Sequence, residues 1–245
     1  MENQEKLGRI NPIIEVLKTS SNRVNKIFIQ KEKGPQRISE IIGLCRVNNI
    51  PFLFVPKQRL DSLSPHHQGA VAFLAEKEYV PVEDLLVQDK PAFLVILDEV
   101  EDPQNLGAIV RSAEGAGADG IILPERHSAG LTPAVATVAA GALSHLKISR
   151  VANLARTIEW LKEKRIWVVG AAGEAQARWY EFDFTQPVAI ALGSEGSGLR
   201  ANIKKKCDLL LSLPMQGKLT SLNVSAAAAI FFFEVVRQRK IASII

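Results

Sequence analysis

Apolar positions in this chain fall into short continuous runs, separated by stretches with helical spacing. Phe93–Leu97 and Val188–Leu192 are apolar throughout, and Leu209–Leu213 is interrupted only by Ser212. Such runs predict strands buried on both faces. Gly120–Leu123 and Ile166–Val169 predict two more strands. Helical spacing predicts helices over Leu106–Ala116, over the small residues of Pro133–Leu143, and from a cap at Asn153 through Lys164. The last predicted helix, Leu222–Arg239, is apolar almost all round. Apolar strands alternating with helices imply an α/β fold with a parallel sheet covered on both faces.

The first quarter is a smaller version of the same alternation. Pro12–Leu17 predicts a short helix and Lys26–Gln30 a strand. Pro35 opens a second helix, with Ile38, Ile41, Ile42 and Cys45 on one face. Phe52–Val55 is a strand, Gln58–Leu63 a helical turn or loop, and Ala70–Ala75 another strand. Glu76–Lys90 is charged, contains Pro81, and holds one helical turn at Val82–Val87. Its composition is that of a linker. The expected organisation is a small α/β domain over 1–76, a linker over 77–90 and a larger domain over 91–245.

Composition narrows the class. The 245 residues are 47% hydrophobic and 23% charged, an ordinary globular balance. No apolar run reaches the length of a membrane span, and Met1-Glu2-Asn3-Gln4-Glu5-Lys6 lacks a signal-peptide core. Cys45 and Cys207 stand apart, with no metal-like spacing to histidine, which fits a reducing cytoplasm. Charge is unevenly placed. Residues 1–60 carry 11 Lys/Arg against 5 Asp/Glu, and residues 61–245 carry 19 against 21. A basic module for a polyanion fits that asymmetry, and so does a lysine-rich solvated domain.

Three stretches have the layout of strand, polar or glycine turn, then helix. Asn105–Arg111 follows an acidic turn, and Asn105 stands where a side chain caps a helix or binds a ligand. Arg111 lies among Ile109, Val110 and Ala113 and calls for a carboxylate or phosphate partner. Gly193-Ser194-Glu195-Gly196-Ser197-Gly198 follows a strand, and its glycines let backbone approach a ligand closely. Its spacing matches neither the dinucleotide nor the nucleoside-triphosphate fingerprint. Leu213–Ser225 runs from a strand end through Gly217 to Ser221 and Asn223 at the mouth of the last helix, either as caps or as ligand contacts. His66-His67-Gln68-Gly69 is a turn or an RNA contact, and Lys204-Lys205-Lys206 a solvated face or a nucleic-acid contact. Trp160, Trp167 and Trp179 suit core or interface positions better than base stacking, and neither a metal site nor a catalytic triad emerges.

Together and in this order, N-L-G-A-I-V-R-S-A-E-G-A-G, A-L-G-S-E-G-S-G-L and L-P-M-Q-G-K-L-T-S-L-N-V-S-A-A-A-A-I resemble the three motifs of the SpoU/TrmH family of RNA 2′-O-ribose methyltransferases, over roughly residues 90–240. The first quarter, through His67-Gln68-Gly69, resembles the substrate-binding domain of the branch that acts on large-subunit rRNA, as do Val151–Arg156 and Trp167–Ala175. The resemblance implies a parallel-sheet domain with a deep trefoil knot behind a small N-terminal α/β domain, S-adenosyl-methionine as cofactor, and a homodimer with active sites drawing on both chains. It implies cofactor contacts at Leu192, Gly193, Leu213, Met215 and Leu222, and a catalytic set of Asn105, Arg111, Glu195, Ser221 and Asn223. The implied substrate is RNA, a guanosine of 23S rRNA before tRNA, with no DNA, membrane or metal involved.

Overall fold

The computed structural model describes residues 5–31, 37–74 and 78–242. The expected helix start at Pro35, the strand end at Ala75 and the first linker residues lie outside them. Contacts divide the chain into two units, residues 1–77 with 131–145, and residues 78–130 with 146–245.

The first unit contains β1 (Glu5–Leu7), α1 (Ile10–Thr19), β2 (Val24–Gln30), α2 (Ile38–Val47), β3 (Phe52–Val55), α3 (Lys57–Asp61) and β4 (Ala70–Leu74). Its sheet runs β1-β4-β2-β3, antiparallel except for the parallel β2–β3 pair. On α2, Ile38, Ile41 and Cys45 of the expected apolar face are buried, while Ile42 is only half-buried. His67 is turn structure. Its Nδ1 accepts the Gly69 N–H at 2.8 Å, so Nε2 carries the proton and donates to Asp61 at 3.0 Å.

The second unit contains β5 (Phe93–Leu97), α4 (Pro103–Gly115) and β6 (Gly120–Pro124). The helix α5 (Pro133–Ala139) belongs to the first unit. It stops short of the predicted Leu143 because Ala140 and Gly141 turn left-handed, at φ +51° and +99°. The second unit resumes with β7 (Lys147–Val151), α6 (Leu154–Glu163), β8 (Trp167–Ala171), β9 (Ala177–Arg178), β10 (Val188–Leu192), α7 (Ala201–Lys204), β11 (Leu209–Ser212) and α8 (Val224–Ala242). Seven strands form one sheet in the order β7-β6-β5-β10-β8-β11-β9. Every pairing in it is parallel.

Two-sided burial explains the continuous apolar runs. Along β5, Leu94 and Ile96 join a cluster with Ile158 and Leu161 of α6, while the Phe93 ring meets Phe232 of α8 at 5.8 Å. Alternate residues thus serve opposite layers, and each buried Leu or Phe contributes about 1.5–3 kcal/mol. The turn Val82–Leu85 joins the same core: Leu85 is fully buried there, and the Val80 N–H donates to the Ile148 carbonyl. The far end of α8 is fastened by Arg239, whose guanidinium donates to the carbonyls of Pro91, Ala92, Phe184 and Gln186.

Candidate active site

The carboxyl ends of the central strands bring the three motif stretches together. After β5, Asp102 caps α4 by accepting the Gln104 N–H at 3.0 Å, with Pro103 in the first turn. Asn105 is therefore not the cap that the sequence left open. Its buried side chain serves contacts distant in sequence instead.

After β10 the chain makes a tight hairpin. Ser194 N–H donates to the Gly198 carbonyl at 3.2 Å and Gly198 N–H to the Ser194 carbonyl at 3.0 Å. Gly196 and Gly198 take φ of +98° and +67°, which glycine alone adopts freely. A Cβ on Gly193 would lie 2.0 Å from the Gly198 carbonyl carbon. The close approach expected between backbone and ligand is thus first an approach of the chain to itself. The hairpin projects Glu195.

After β11, the chain reaches Asn223 immediately before α8. Asn223 Oδ1 accepts the Ser225 N–H at 2.9 Å and the Ser225 hydroxyl at 2.6 Å. That contact is a helix cap, and it fixes the orientation of the whole network. With Oδ1 taken by a backbone donor, Asn223 Nδ2 points the other way and donates to Asn105 Oδ1 at 2.9 Å. Asn105 Nδ2 then donates to Glu195 Oε2 at 3.1 Å, and Asn223 Nδ2 also reaches Glu195 Oε1 at 3.4 Å. Three residues far apart in sequence form one directional chain that ends on a carboxylate.

Arg111 and Ser221 stand outside this chain. The buried face of α4 is Leu106, Ile109, Val110 and Ala113, and Arg111 is exposed away from it. Of the two partners expected for Arg111, a carboxylate or a phosphate, its exposed position leaves the guanidinium open to a phosphate from outside the chain. Ser221 is exposed and lines a cavity of about 450 Å³ beside the network. The same cavity is lined by all five cofactor candidates, Leu192, Gly193, Leu213, Met215 and Leu222, and by Glu195.

Sequence reasoning missed Asp98 and Arg200. Asp98, fully buried at the end of β5, accepts the Arg200 backbone N–H at 2.9 Å and Nε at 2.8 Å, and lies 2.6 Å from Nη2. Hydrogen bonding to Asp98 raises the Arg200 pKa above its ordinary value. The pair ties the far side of the glycine hairpin to β5. Its signal was a carboxylate directly after a fully apolar strand, which calls for a cation. Burial pushes the thiols of Cys45 and Cys207 up to about 11, away from a reactive thiolate.

The SpoU rRNA Methylase family matches residues 92–233, and the RNA 2′-O ribose methyltransferase substrate-binding family matches residues 10–80. The chain belongs to the SpoU family and is an S-adenosyl-methionine-dependent RNA 2′-O-ribose methyltransferase. It is 42% identical to "Putative TrmH family tRNA/rRNA methyltransferase YacO" of Bacillus subtilis (strain 168), over 94% of each chain. It is 40% identical to "23S rRNA (guanosine-2′-O-)-methyltransferase RlmB" of Shewanella oneidensis, over 98% of this chain and 100% of that one. The SpoU methyltransferase AviRb of Streptomyces viridochromogenes, solved in complex with AdoMet, superposes with a TM-score of 0.82 at 25% identity, covering 97% of this chain and 91% of that one.

The cavity suits this cofactor. Its volume lies in the range of small-molecule sites. Leu213, Met215 and Leu222 contribute apolar lining, and the polar network lies alongside.

Proposed function

We propose that this enzyme methylates the ribose 2′-hydroxyl of a guanosine in 23S rRNA, in the cytoplasm, as a knotted homodimer. The observation that carries the choice of site is the Asn105–Glu195–Asn223 chain, which joins the three motifs beside the cavity. The near full-length likeness to a 23S rRNA guanosine methyltransferase supports the substrate. The relative named for both tRNA and rRNA keeps tRNA as the second substrate to test. Strand order supports the knot: β10 inserts between β5 and β8, β11 lies beyond β8, and the chain then returns to pack α8 on α4. Reversals of this kind accommodate a threaded end; unthreaded doubly wound sheets share them, and the family likeness favours threading. The apolar side chains left exposed near the site, Leu219, Leu222 and Phe233, support a second subunit there.

When bound, the cofactor supplies a methyl group on a sulfonium, already a good electrophile. The protein's task is to position the 2′-hydroxyl and to manage its proton. Asn105 and Asn223 hold a fixed hydrogen-bond direction, and Glu195 anchors it. Ser221, on the cavity wall, orients the ribose. Arg111 is a poor base because guanidinium stays protonated. Its exposed, solvated head suits an RNA phosphate and the stabilisation of developing alkoxide. The hydroxyl proton leaves to water or phosphate. Leu192, Gly193, Leu213, Met215 and Leu222 hold the donor.

The basic first unit grips rRNA through phosphates, with strong salt dependence. Exposed Arg46, Lys57 and Arg59 are candidates for that grip. Replacing all three with Ala should lower the salt slope of rRNA binding by about one for each phosphate no longer neutralised. An unchanged slope would remove them from the interface. Methylation of purified 23S rRNA against tRNA, with the product nucleotide mapped, tests the substrate. Transfer to tRNA alone would overturn the 23S assignment.

A further inference from the structure

Among the described residues, three charged side chains line the cavity, and two of them have no part in the network above: Glu174 and Lys204. Glu174 follows Gly173 just beyond β8, and Lys204 ends α7. Lys204 Nζ lies 2.5 Å from Glu174 Oε1, with the two side chains 26% and 62% exposed respectively. An exposed ion pair adds little to stability. Stability therefore does not explain why the cavity wall carries this pair.

We propose that Glu174 accepts the ribose diol of the methyl donor, and that Lys204 is the positioning residue that holds its carboxylate in place. The inference rests on the cavity being the donor site. Adenosine presents an apolar ring and two adjacent O–H donors. The cavity presents an apolar wall and one carboxylate that the amide network does not engage. A carboxylate has about four acceptor positions, and Lys204 occupies one oxygen. Lys204 also draws the Glu174 pKa below the ordinary carboxylate value, mainly through that hydrogen bond, so the acceptor stays ionised near neutrality. Position agrees with the role. Strand β8 lies between β10 and β11, whose ends supply Leu192, Gly193, Leu213 and Met215. One strand spacing, about 4.8 Å, separates neighbours, so an adenosine held by the flanking ends spans the end of β8. An acidic side chain on a ribose hydroxyl beyond a parallel strand is a solution found in other α/β folds.

The test is calorimetric, on the full chain, with three probes. S-adenosyl-homocysteine carries the diol and the amino-acid tail. 5′-Methylthioadenosine carries the diol without the tail, and its 2′,3′-dideoxy analogue carries neither. Glu174→Gln should weaken the first two by about tenfold or more and leave the third unchanged. Lys204→Met should weaken the same two less, with Lys204→Arg restoring them. Unchanged binding of 5′-methylthioadenosine would move the pair to the amino-acid tail and overturn the inference, as would equal losses for the dideoxy analogue. Leu213→Ala separates the two levels. It should weaken all three probes; if it weakens none, the cavity is not the donor site. If it weakens all while Glu174→Gln weakens none, only the ribose contact fails.

Discussion

Two polar clusters stand side by side at the carboxyl end of the parallel sheet, and they differ in kind. Asp98 and Arg200 bury a full charge in a multiply bonded pair. Asn105, Asn223 and Glu195 join neutral amides to an exposed carboxylate, oriented by one backbone N–H. A charge taken out of water must be paired, so the first cluster holds the glycine hairpin against β5. The second keeps its acceptor facing solvent, where a substrate can reach it. Proximity to the site does not make a polar residue catalytic; burial and remaining hydrogen-bonding capacity separate the two roles.

Substitutions can break that separation. Asp98→Ala leaves Arg200, 40% exposed and still beside Glu99, without its main partner and should lower stability by about 1–3 kcal/mol, read as an earlier midpoint in urea. A midpoint unchanged from wild type would deny the pair its structural role. Arg111→Ala should leave the midpoint alone, because its side chain is exposed. It should cut the single-turnover rate by about a hundredfold to a thousandfold, with S-adenosyl-homocysteine affinity unchanged. Equal losses of rate and affinity would place Arg111 in the donor site instead.

Asn223→Ala crosses the boundary between the clusters, since its amide both caps α8 and orients Asn105. It should cost about 1 kcal/mol of stability and a larger factor in rate. Asn223→Ser keeps a capping oxygen and should restore the stability without the rate. Recovery of both would reduce Asn223 to a cap.

The smallest expected effect lies far from both clusters. Arg237, followed by Gln238, hydrogen-bonds the nearly buried Glu234 and holds its pKa below the ordinary 4.5. A depressed carboxylate stabilises the fold above its unfolded pKa, and that contribution fades as pH falls through the folded value. Glu234→Gln should therefore flatten the acid side of the stability profile below about pH 4.5 and leave its neutral shape alone. An unaltered acid limb would contradict the coupling.

Legibility in the sequence followed burial. Phe93–Leu97 and Val188–Leu192 were readable to the residue because both faces of each strand are covered. The edge strands were not. In β7, Lys147 and Arg150 are exposed and break the apolar run, and β9 is only two residues long. The break after Ala139 was hidden because alanine rarely turns left-handed. Each motif stretch read alone was ambiguous between cap and site, and Asn223 proves to be a cap as well as part of the network. Asn105 and Glu195 are 90 residues apart, and Asp98 and Arg200 are 102 apart. Local periodicity does not report such pairings. The three motifs in order pointed to the first; for the second, Asp98 after a fully apolar strand signalled a cation without saying which one.

The most direct test maps 2′-O-methylation in 23S rRNA by mass spectrometry after incubation with the wild-type enzyme or with Asn105→Ala. The network account predicts a 2′-O-methylguanosine made by the wild type and lost with Asn105→Ala, which still folds and still binds rRNA. A variant as active as wild type, or a wild type that leaves every 23S guanosine unmethylated, would contradict it.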